Sequence, residues 1–234
     1  MINMSEQLTN VKKNVYELNS TLQSSNLVIQ NFGNASARLD QTFVIKPSGV
    51  ILKDCEPEDM VQMNLNGEKI HGELKPSSDE PTHRALYKEY SEINGVVHTH
   101  SKYATAFAQA NQEILNLGTT HSDFSIHNIM VTEQLKPEEV ENNYELNTGI
   151  KIIETIEKNK ISPLSIPGIL SIRHGVFSWG NSIEEAYKNA EIIEYIAELC
   201  FITRNINPSA KAIESFISSK HFDRKHGQNK YYGQ

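Results

Sequence analysis

Two histidines one residue apart, His98 and His100, follow a short apolar run in the middle of the chain. If that run forms a strand, its side chains alternate between the two faces, so both imidazoles leave the same face about 6–7 Å apart along the strand. Two imidazoles at that separation can bind one metal ion. Histidines that end a strand and hydrogen-bond to the backbone give the same pattern, so the pair alone leaves both interpretations open.

A metal site needs further ligands, and two other segments can supply them. His174 follows a strand predicted over residues 168–172, and three imidazoles at strand ends would leave one coordination position open, as in catalytic zinc sites. Asp79 precedes a predicted helix and could add an oxygen ligand or hold a bound water. Imidazole and carboxylate together suit zinc, manganese and other divalent ions, so the ligand types do not identify the ion.

The six remaining histidines fall into two groups. His121 and His221 lie beside segments with site-like composition and could contact the metal ligands or a substrate. The other four have polar neighbours in the sequence and are predicted to lie at the surface or in helix caps: His71, His83, His127 and His226.

Two short turns carry groups that can bind phosphate. Residues 31–38 are predicted to form a turn between strands predicted over residues 27–29 and 42–45, and a second turn is predicted at residues 46–50. The two turns lie side by side if the flanking strands form a hairpin. Backbone N–H groups, an amide, a hydroxyl and an ammonium in such turns suit a phosphate, although Gly/Ser turns of this length are common. The candidates are Asn34, Lys46, Ser48 and Gly49.

A third segment with anion-binding groups precedes the helix predicted over residues 81–90. Ser78 or Asp79 can cap this helix. A helix N-terminus next to Ser77 and Ser78 is also an anion site. Both interpretations hold if one hydroxyl caps the helix and the other faces a ligand.

The composition of the 234 residues restricts the class of protein. Hydrophobic residues make up 38% and charged residues 22%, which excludes disorder and coiled coil as the main state. The net charge of −7 argues against nucleic-acid binding through a basic surface, whereas a locally positive pocket can still bind a small anion.

The cysteines and the apolar runs bear on the compartment. The two cysteines, Cys55 and Cys200, are too few for a disulfide framework. With a polar N-terminus and no apolar run of about 20 residues, the chain is expected to be soluble and cytoplasmic.

Periodicity and turn signals predict one α/β domain over residues 1–234, without repeats or linkers. Residues 125–147 are polar and irregular and are predicted as a loop that can contain short elements. Asn66-Gly67 predicts a tight hairpin, and Ser182 with Glu185 predicts a capping box. Helices are predicted over residues 5–23, 81–90, 102–110, 148–158, 183–204 and 210–221, and strands over residues 27–29, 42–45, 58–65, 69–72, 114–117 and 168–172 and in the run that ends at residue 100.

Several short motifs occur in a fixed order along nearly the whole chain. They are Gly33-Asn34-Ala35-Ser36, Lys46-Pro47-Ser48-Gly49-Val50, Ser77-Ser78-Asp79-Glu80-Pro81-Thr82-His83, Val97-His98-Thr99-His100-Ser101, Gly118-Thr119-Thr120-His121-Ser122-Asp123, His174-Gly175-Val176-Phe177-Ser178-Trp179-Gly180, Lys225-His226-Gly227 and Tyr231-Tyr232-Gly233-Gln234. This series resembles the L-ribulose-5-phosphate 4-epimerases of the class II aldolase/epimerase superfamily. The resemblance favours the metal interpretation of His98 and His100.

The resemblance implies roles for individual residues. An acid/base pair falls on Asp123 and Tyr232, contributed by a subunit next to the one that holds the metal. The implied metal ligands are His98, His100 and His174, with Asp79 as their acidic neighbour. The implied phosphate pocket comprises Asn34, Lys46, Ser48, Gly49, Ser77 and Ser78, and positions that could support the site are Thr119, Thr120, His121, Glu145 and His221.

The resemblance also implies a single-domain, three-layer α/β/α fold with a central, mostly antiparallel sheet flanked by helices. It implies a homotetramer with four-fold cyclic symmetry and active sites at subunit interfaces. The C-terminal tail, residues 222–234, would reach a neighbouring active site, which gives a role to Tyr232 at an end that would otherwise fray. The implied cofactor is Zn²⁺, with Mn²⁺ or another divalent cation as alternatives. No nucleotide cofactor is expected, because no Gly-x-Gly-x-x-Gly motif follows a strand.

The implied reaction is inversion at C4 of L-ribulose 5-phosphate to give D-xylulose 5-phosphate. C4 carries no acidic proton, which favours a retro-aldol route in which the C3–C4 bond breaks and re-forms while a divalent ion stabilises the negative charge. An aldolase similar to fuculose-phosphate aldolase is the alternative, although such members carry a glutamate where this chain has Asp79. A non-catalytic sugar-phosphate-binding protein is a remoter alternative, and the sequence does not distinguish arabinose from ascorbate breakdown.

Overall fold

The computed structural model describes residues 4–228 and 230–231. Its central sheet consists of seven strands: β1 (Gly33–Leu39), β2 (Thr42–Ile45), β3 (Val61–Asn64), β4 (Lys69–His71), β5 (Gly95–Thr99), β6 (Gly168–Ser171) and β7 (Gly175–Gly180). Their order across the sheet is β4-β3-β2-β1-β5-β7-β6, and every pair of neighbours is antiparallel.

Helices cover both faces of this sheet. One face packs against α1 and α7, with α3 beside α7, and the other face packs against α2 and α6. The predicted three-layer α/β/α fold is therefore confirmed. The helices of the described residues are α1 (Met4–Ser24), α2 (Glu80–Glu89), α3 (Lys102–Gln109), α4 (Thr119–Ser122), α5 (Pro137–Glu141), α6 (Tyr144–Lys158), α7 (Ile183–Ile206) and α8 (Ser215–His226).

Strand β5 lies at the centre of the sheet, and all five of its residues are buried. Val97 packs in the cluster formed with α1 and α7, whereas Val96 packs in the cluster formed with α2 and α6. Burial of each such side chain contributes about 1.5–3 kcal/mol. Because side chains alternate along a strand, His98 leaves the same face as Val96. The imidazole therefore points towards the layer of α2 and α6.

The beginning of the sheet differs from the prediction. Residues 27–29 form a turn rather than a strand, and residues 33–38, predicted as a turn, belong to β1. A Cβ at Gly33 would come within 2.4 Å of the Val28 side chain, so the strand can begin at this position only with a glycine. The small and polar residues that suggest a turn are instead required because β1 lies between β2 and β5 beneath α1.

Several other elements differ from the prediction in their bounds. The third strand is shorter than predicted because residues 57–59 form a 3₁₀ turn that begins with proline, and residues 114–117 contribute only an isolated bridge between Ile114 and Ile129. Strand β7 was not predicted as a separate strand after β6. Helix α5 forms within the predicted loop, α6 begins four residues earlier than predicted, and α8 begins five residues later, after a segment in which Ile213 N–H donates to Asn116 O.

Other local signals are confirmed. Helices α1, α3 and α7 match their predicted ranges closely, and the Ser182 hydroxyl accepts a hydrogen bond from the Glu185 N–H at 3.2 Å. Asn66-Gly67 lies in the turn of the hairpin between β3 and β4, as predicted, with Gly67 at a φ of +89°; the loop has four residues, so it is wider than the tight two-residue turn. Within the described part of the chain, no helix combines the length and the apolar character that crossing a membrane would need.

Candidate metal centre and active site

Three imidazoles converge at one end of the central strands. His98 lies on β5, His100 follows directly after it, and His174 lies in the turn between β6 and β7. Their ring centroids are 4.7–5.0 Å apart, and one potential ligand atom from each ring lies within 4.8 Å of the other two. This separation allows all three nitrogens to bind one ion, so the donor set fits a divalent cation.

The orientation of His98 is set by its second ring nitrogen. Nδ1 lies 3.0 Å from the carbonyl oxygen of Val176 on the adjacent strand β7, so it carries the proton and donates it. Nε2 then has a free lone pair, and it lies 3.0 Å from His100 Nε2. A backbone acceptor for the second nitrogen is typical of metal-bound histidines.

The turn that carries His174 approaches β5 closely. Arg173 adopts the left-handed conformation with a φ of +57°, and strand β7 resumes at Gly175. A Cβ at Gly175 would lie 2.5 Å from Thr99 O and 3.2 Å from His98 Cε1. Any larger residue would therefore push the turn away from β5 and separate His174 from the other two imidazoles.

Burial keeps these imidazoles neutral. It lowers the pKa of His98 to about 3, and it also lowers the pKa of His100 and of His174. Neutral imidazole offers a lone pair to a metal. The site is therefore in its ligand-binding form around pH 7 without having to lose protons.

Asp79 lies beside the three imidazoles but not among the atoms that share one coordination point. It is the residue that precedes α2, and its side chain makes no capping hydrogen bond. One of its carboxylate oxygens instead accepts a hydrogen bond from Asn34 Nδ2 at 2.7 Å. The pKa of Asp79 is lowered although burial alone would raise it, and the hydrogen bond from Asn34 favours the ionised carboxylate. Its predicted role as a ligand therefore remains a prediction.

The predicted phosphate residues lie together beside the imidazoles. Strand β1 pairs with β5 so that Asn34 lies opposite His98, and it pairs on its other side with β2, which ends next to Lys46. The Lys46 carbonyl accepts the Ser77 N–H at 2.9 Å, and the Lys75 carbonyl accepts the Ser48 N–H at 2.9 Å. The two loops are thus joined, with Gly49 in the left-handed region (φ +68°) and Ser78 next to Ser77.

Lys46 is an unusual member of this group because its side chain is almost entirely buried. Only 4% of the residue is exposed, and among the described residues no carboxylate lies within 4.0 Å of its ammonium group. Burial lowers its pKa, with Cys55 and Asp79 acting in the opposite direction. A buried cation without an ion-pair partner is costly, and an anionic ligand at this position would reduce that cost.

Asp123 is held by the C-terminal helix. Its carboxylate accepts hydrogen bonds from Arg224 at 3.0 Å (Nε) and 2.7 Å (Nη2), and His221 Nδ1 lies 3.0 Å from Oδ1. Burial alone would raise the pKa of Asp123, but the hydrogen bonds from Arg224 and His221 outweigh this effect and lower it. Within the described part of this chain, no hydrogen bond or ion pair joins Asp123 to the three imidazoles.

The other predicted site residues have different surroundings. Tyr232 lies outside the described residues. Thr119 and Thr120 are exposed on α4, while His121 is buried, with Nε2 2.9 Å from the His127 carbonyl oxygen. Glu145 lies at the start of α6, where its charge acts on His174. Only Glu145 of these four is thus brought close to the imidazoles.

His83 contradicts its prediction as a surface or capping residue, because it is completely buried. It lies on the inner face of α2, where Nδ1 is 2.7 Å from the Ser36 hydroxyl and Nε2 has no hydrogen-bond partner among the described residues. The Ser36 hydroxyl also lies 2.8 Å from the Tyr87 hydroxyl. Burial lowers the pKa of His83 to about 4, and the charge of Asp79 acts in the other direction.

The free energy of unfolding should decrease as the pH falls from about 6.5 towards 4. Burial lowers the pKa of both His83 and His121 to about 4, whereas unfolded histidine titrates near 6.5. Between pH 6.5 and 4 the unfolded chain therefore binds more protons than the folded chain. As the pH falls through this range, the free energy of unfolding decreases by up to about 1.4 kcal/mol per pH unit for each histidine. Urea unfolding at pH 7.5, 6 and 5, at fixed protein concentration with chelator, measures this slope. His83→Gln should reduce it by one proton, and an unchanged slope would contradict the assignment.

Tyr144 is a site residue that the sequence did not indicate. It begins α6, and its hydroxyl lies 3.5 Å from His174 Nδ1. Residues 125–147 were predicted as a loop, so nothing placed this side chain near the imidazoles. The available signal was weak: the helical pattern of α6 continues towards the N-terminus. This pattern does not predict which way the phenol of Tyr144 points.

The chain is similar to known proteins over almost its full length. Residues 13–201 match the model of the family described as Class II Aldolase and Adducin N-terminal domain. The L-ribulose-5-phosphate 4-epimerase UlaF of Salmonella paratyphi B is 45% identical over 226 residues, which cover 96% of this chain and 98% of that protein. The homologous protein of Salmonella paratyphi C, which has the same name, gives the same identity and coverage.

Solved structures show the same fold. An L-fuculose 1-phosphate aldolase superimposes with a TM-score of 0.77 at 20% identity, covering 92% of this chain and 95% of the other. The L-fuculose-1-phosphate aldolase of Thermus thermophilus gives a TM-score of 0.64 at 22% identity, covering 87% and 98%. At these identities the likeness concerns the fold alone, whereas the family follows from the matched residues and from the 45% identical relatives. This chain belongs to the class II aldolase and adducin N-terminal domain family.

Proposed function

We propose that this protein is a metal-dependent L-ribulose-5-phosphate 4-epimerase, which interconverts L-ribulose 5-phosphate and D-xylulose 5-phosphate. The observation that carries the proposal is a cluster of three neutral imidazoles next to a buried lysine that has no ion-pair partner among the described residues. Such a site suits a substrate with both oxygen ligands for a metal and a phosphate. The two relatives at 45% identity carry the name of this activity.

We infer that the resident ion is Zn²⁺, held by His98, His100 and His174. Three nitrogen ligands with one open position are typical of catalytic zinc sites. When bound, such an ion stabilises negative charge that develops on substrate oxygens. Mn²⁺ is the alternative that the donor set also accepts, and reconstitution of chelated protein with each ion separates the two.

The phosphate of the substrate would be bound by the joined loops. The Lys46 ammonium supplies the charge, and Ser48, Gly49, Ser77 and Ser78 contribute hydroxyl and backbone N–H groups. Asn34, which lies opposite His98 on the neighbouring strand, would contact the sugar between the two ends. This arrangement fixes the phosphate while the other end of the substrate reaches the imidazoles.

The chain's acid/base groups would move one proton at the C4 oxygen. Asp123, held ionised by Arg224, accepts the C4 hydroxyl proton of one epimer as the C3–C4 bond breaks and its electron pair moves to C3. The aldehyde that forms at C4 turns while its phosphate stays bound. The C3–C4 bond then re-forms on the opposite face of the aldehyde, and Tyr232 returns a proton to the C4 oxygen; solvent then takes the proton from Asp123 and restores one to Tyr232 before the next turnover.

A coupled assay that detects D-xylulose 5-phosphate formed from L-ribulose 5-phosphate tests the proposal. Activity that disappears with chelator and returns with Zn²⁺ is the expected result. Release of glycolaldehyde phosphate as a major product would favour an aldolase instead, and ligand-stabilised folding without turnover would favour a sugar-phosphate-binding protein.

Lys46→Met should raise KM for the sugar phosphate by roughly 10–100-fold, because the substitution removes a charge-assisted contact worth about 1.5–3 kcal/mol while it retains an aliphatic chain. Stability should not decrease, since the lost ammonium has no ion-pair partner within the described part of the chain. Steady-state kinetics measures this effect, and Lys53→Met at an exposed neighbouring position is the matched control. An unchanged KM would remove Lys46 from the phosphate site.

We further propose that the protein is a cytoplasmic homotetramer with its active sites between subunits. Among the described residues, Asp123 makes no hydrogen bond or ion pair with the imidazoles of its own chain, which is expected if it serves a neighbouring site. Large apolar side chains are also exposed on α7, among them Tyr195, Phe201 and Ile206, as is common where a surface is covered by another subunit. Both cysteines are free and buried, in keeping with a reducing compartment.

A further inference from the structure

The hydroxyl of Tyr144 lies close to one ring nitrogen of His174, Nδ1. The oxygen lies 3.5 Å from Nδ1, and the ring centroids are 6.1 Å apart. Among the described residues, no other side chain or carbonyl group makes a hydrogen bond with this nitrogen. The phenol is half-buried, so protein atoms and not only solvent determine its position.

The chain places this phenol through the packing of two helices. Asn143 precedes α6 in the left-handed conformation, with φ 61° and ψ 55°, which turns the chain so that Tyr144 is the first helical residue. Thr82 on α2 donates a hydrogen bond to the Glu145 carbonyl. A Cβ at Gly149 would lie 2.8 Å from Ala85 Cβ, so α6 lies directly against α2. The first turn of α6 is thereby fixed relative to the sheet face that carries His98.

The neighbouring ligand shows what such a contact can do. His98 donates Nδ1–H to the Val176 carbonyl, which leaves Nε2 free for the ion. His174 lies after a turn that begins in the left-handed region at Arg173, so a backbone ladder does not fix its ring. A histidine that binds a metal through one nitrogen usually donates the proton on the other nitrogen to a fixed acceptor.

We propose that Tyr144 is the positioning residue of His174, accepting Nδ1–H on its phenolic oxygen so that Nε2 is directed at the ion. The observed separation is at the long end of the range for a hydrogen bond, and a bound ion would strengthen the contact by polarising the Nδ1–H bond. This inference rests on the proposed metal centre and is independent of the identity of the sugar.

Tyr144→Phe removes only the hydroxyl and tests this role. The expected result is a 10–100-fold lower affinity for Zn²⁺, the usual effect of losing such an acceptor, measured on metal-free protein by competition with a chromophoric chelator. The visible absorption spectrum of the Co²⁺-loaded variant should also shift, because the orientation of one ligand ring changes. Epimerisation should lose kcat with little change in KM, since the phosphate loops are untouched.

Tyr90→Phe is the matched control. The Tyr90 hydroxyl is buried without a hydrogen-bond partner among the described residues, and it lies at the far end of α2, so its loss should change neither zinc affinity nor the Co²⁺ spectrum. Wild-type affinity and spectrum in Tyr144→Phe would overturn the proposal. The proposal is equally overturned if only Tyr144→Leu weakens zinc binding, because the ring and not the hydroxyl would then matter.

The outcome is separable from that of the proposed function. A wild-type protein that binds Zn²⁺ but does not epimerise L-ribulose 5-phosphate contradicts the function, while the comparison of Tyr144→Phe with Tyr90→Phe still decides the role of the hydroxyl. A wild-type protein with no measurable Zn²⁺ or Co²⁺ binding contradicts the metal centre and this inference together.

Discussion

His98→Asn should abolish metal binding and epimerisation together. His98 is 1% exposed, it is one of the three proposed ligands, and its Nδ1 already donates to the Val176 carbonyl oxygen. The amide of asparagine cannot reproduce the direction of the Nε2 lone pair, so the loss of zinc affinity should exceed the 10–100-fold that removal of an outer hydrogen-bond partner costs. Metal analysis after dialysis and the coupled assay measure the two effects.

The control for this variant is His71→Asn. His71 lies exposed on the edge strand β4, far from β5 in the sheet order. Its replacement therefore tests whether the loss of a histidine outside the site also lowers the metal content. His98→Asn protein that keeps one zinc per chain and its activity would contradict the proposed centre. His98→Asn protein that keeps zinc without activity would mean that His98 acts in another way than as a ligand.

The strand periodicity of the sequence was sufficient to predict that His98 and His100 face the same way. It could not show that His174 joins them, because this depends on β7 pairing with β5, a contact between residues about 80 positions apart. Its position after the strand predicted over residues 168–172 made His174 a candidate, and the ordered motifs of the family resemblance then indicated it as the third ligand. The same holds for the loop of Lys46 and the loop of Ser77, which two backbone hydrogen bonds join.

Local composition was misleading for His83. Its neighbours in sequence are polar, yet Leu86, Tyr87 and Tyr90 follow at helical spacing and form the face of α2 that packs on the sheet. Counting positions from this apolar face, rather than adjacent residues, would have predicted burial. The prediction at β1 was wrong for a different reason. Small residues normally indicate a turn, but in β1 they are required because the layers pack closely against this strand.

The contact between Asp123 and Arg224 could not be predicted from the sequence because about 100 residues separate them. Pairing with Arg224 keeps the Asp123 carboxylate ionised, and it also attaches α8 to α4. The end of α8 is thus held at the same place as Asp123.

Asp123→Asn should nearly abolish epimerisation and leave the zinc content unchanged. The amide is similar in shape and can still accept hydrogen bonds from Arg224 through its oxygen, but it cannot take a proton from the C4 hydroxyl. General-base contributions are typically 10²–10⁴-fold, so kcat should fall by about that factor. Metal analysis and the coupled assay on the same preparation measure both quantities. Loss of zinc in this variant would mean that the residue supports the metal centre instead.

Mixing Asp123→Asn with His98→Asn tests whether the site is shared between subunits. Each variant alone should be inactive, but a neighbouring pair in which one subunit supplies the intact imidazoles and the other the intact carboxylate forms a complete site. Random assembly of equal amounts into cyclic tetramers gives such a pair at about one quarter of the interfaces. Co-refolding the two variants should therefore restore about a quarter of the wild-type activity. If the mixture remains inactive although mixed tetramers form, Asp123 and the imidazoles act within one chain, and α8 would have to move to bring them together.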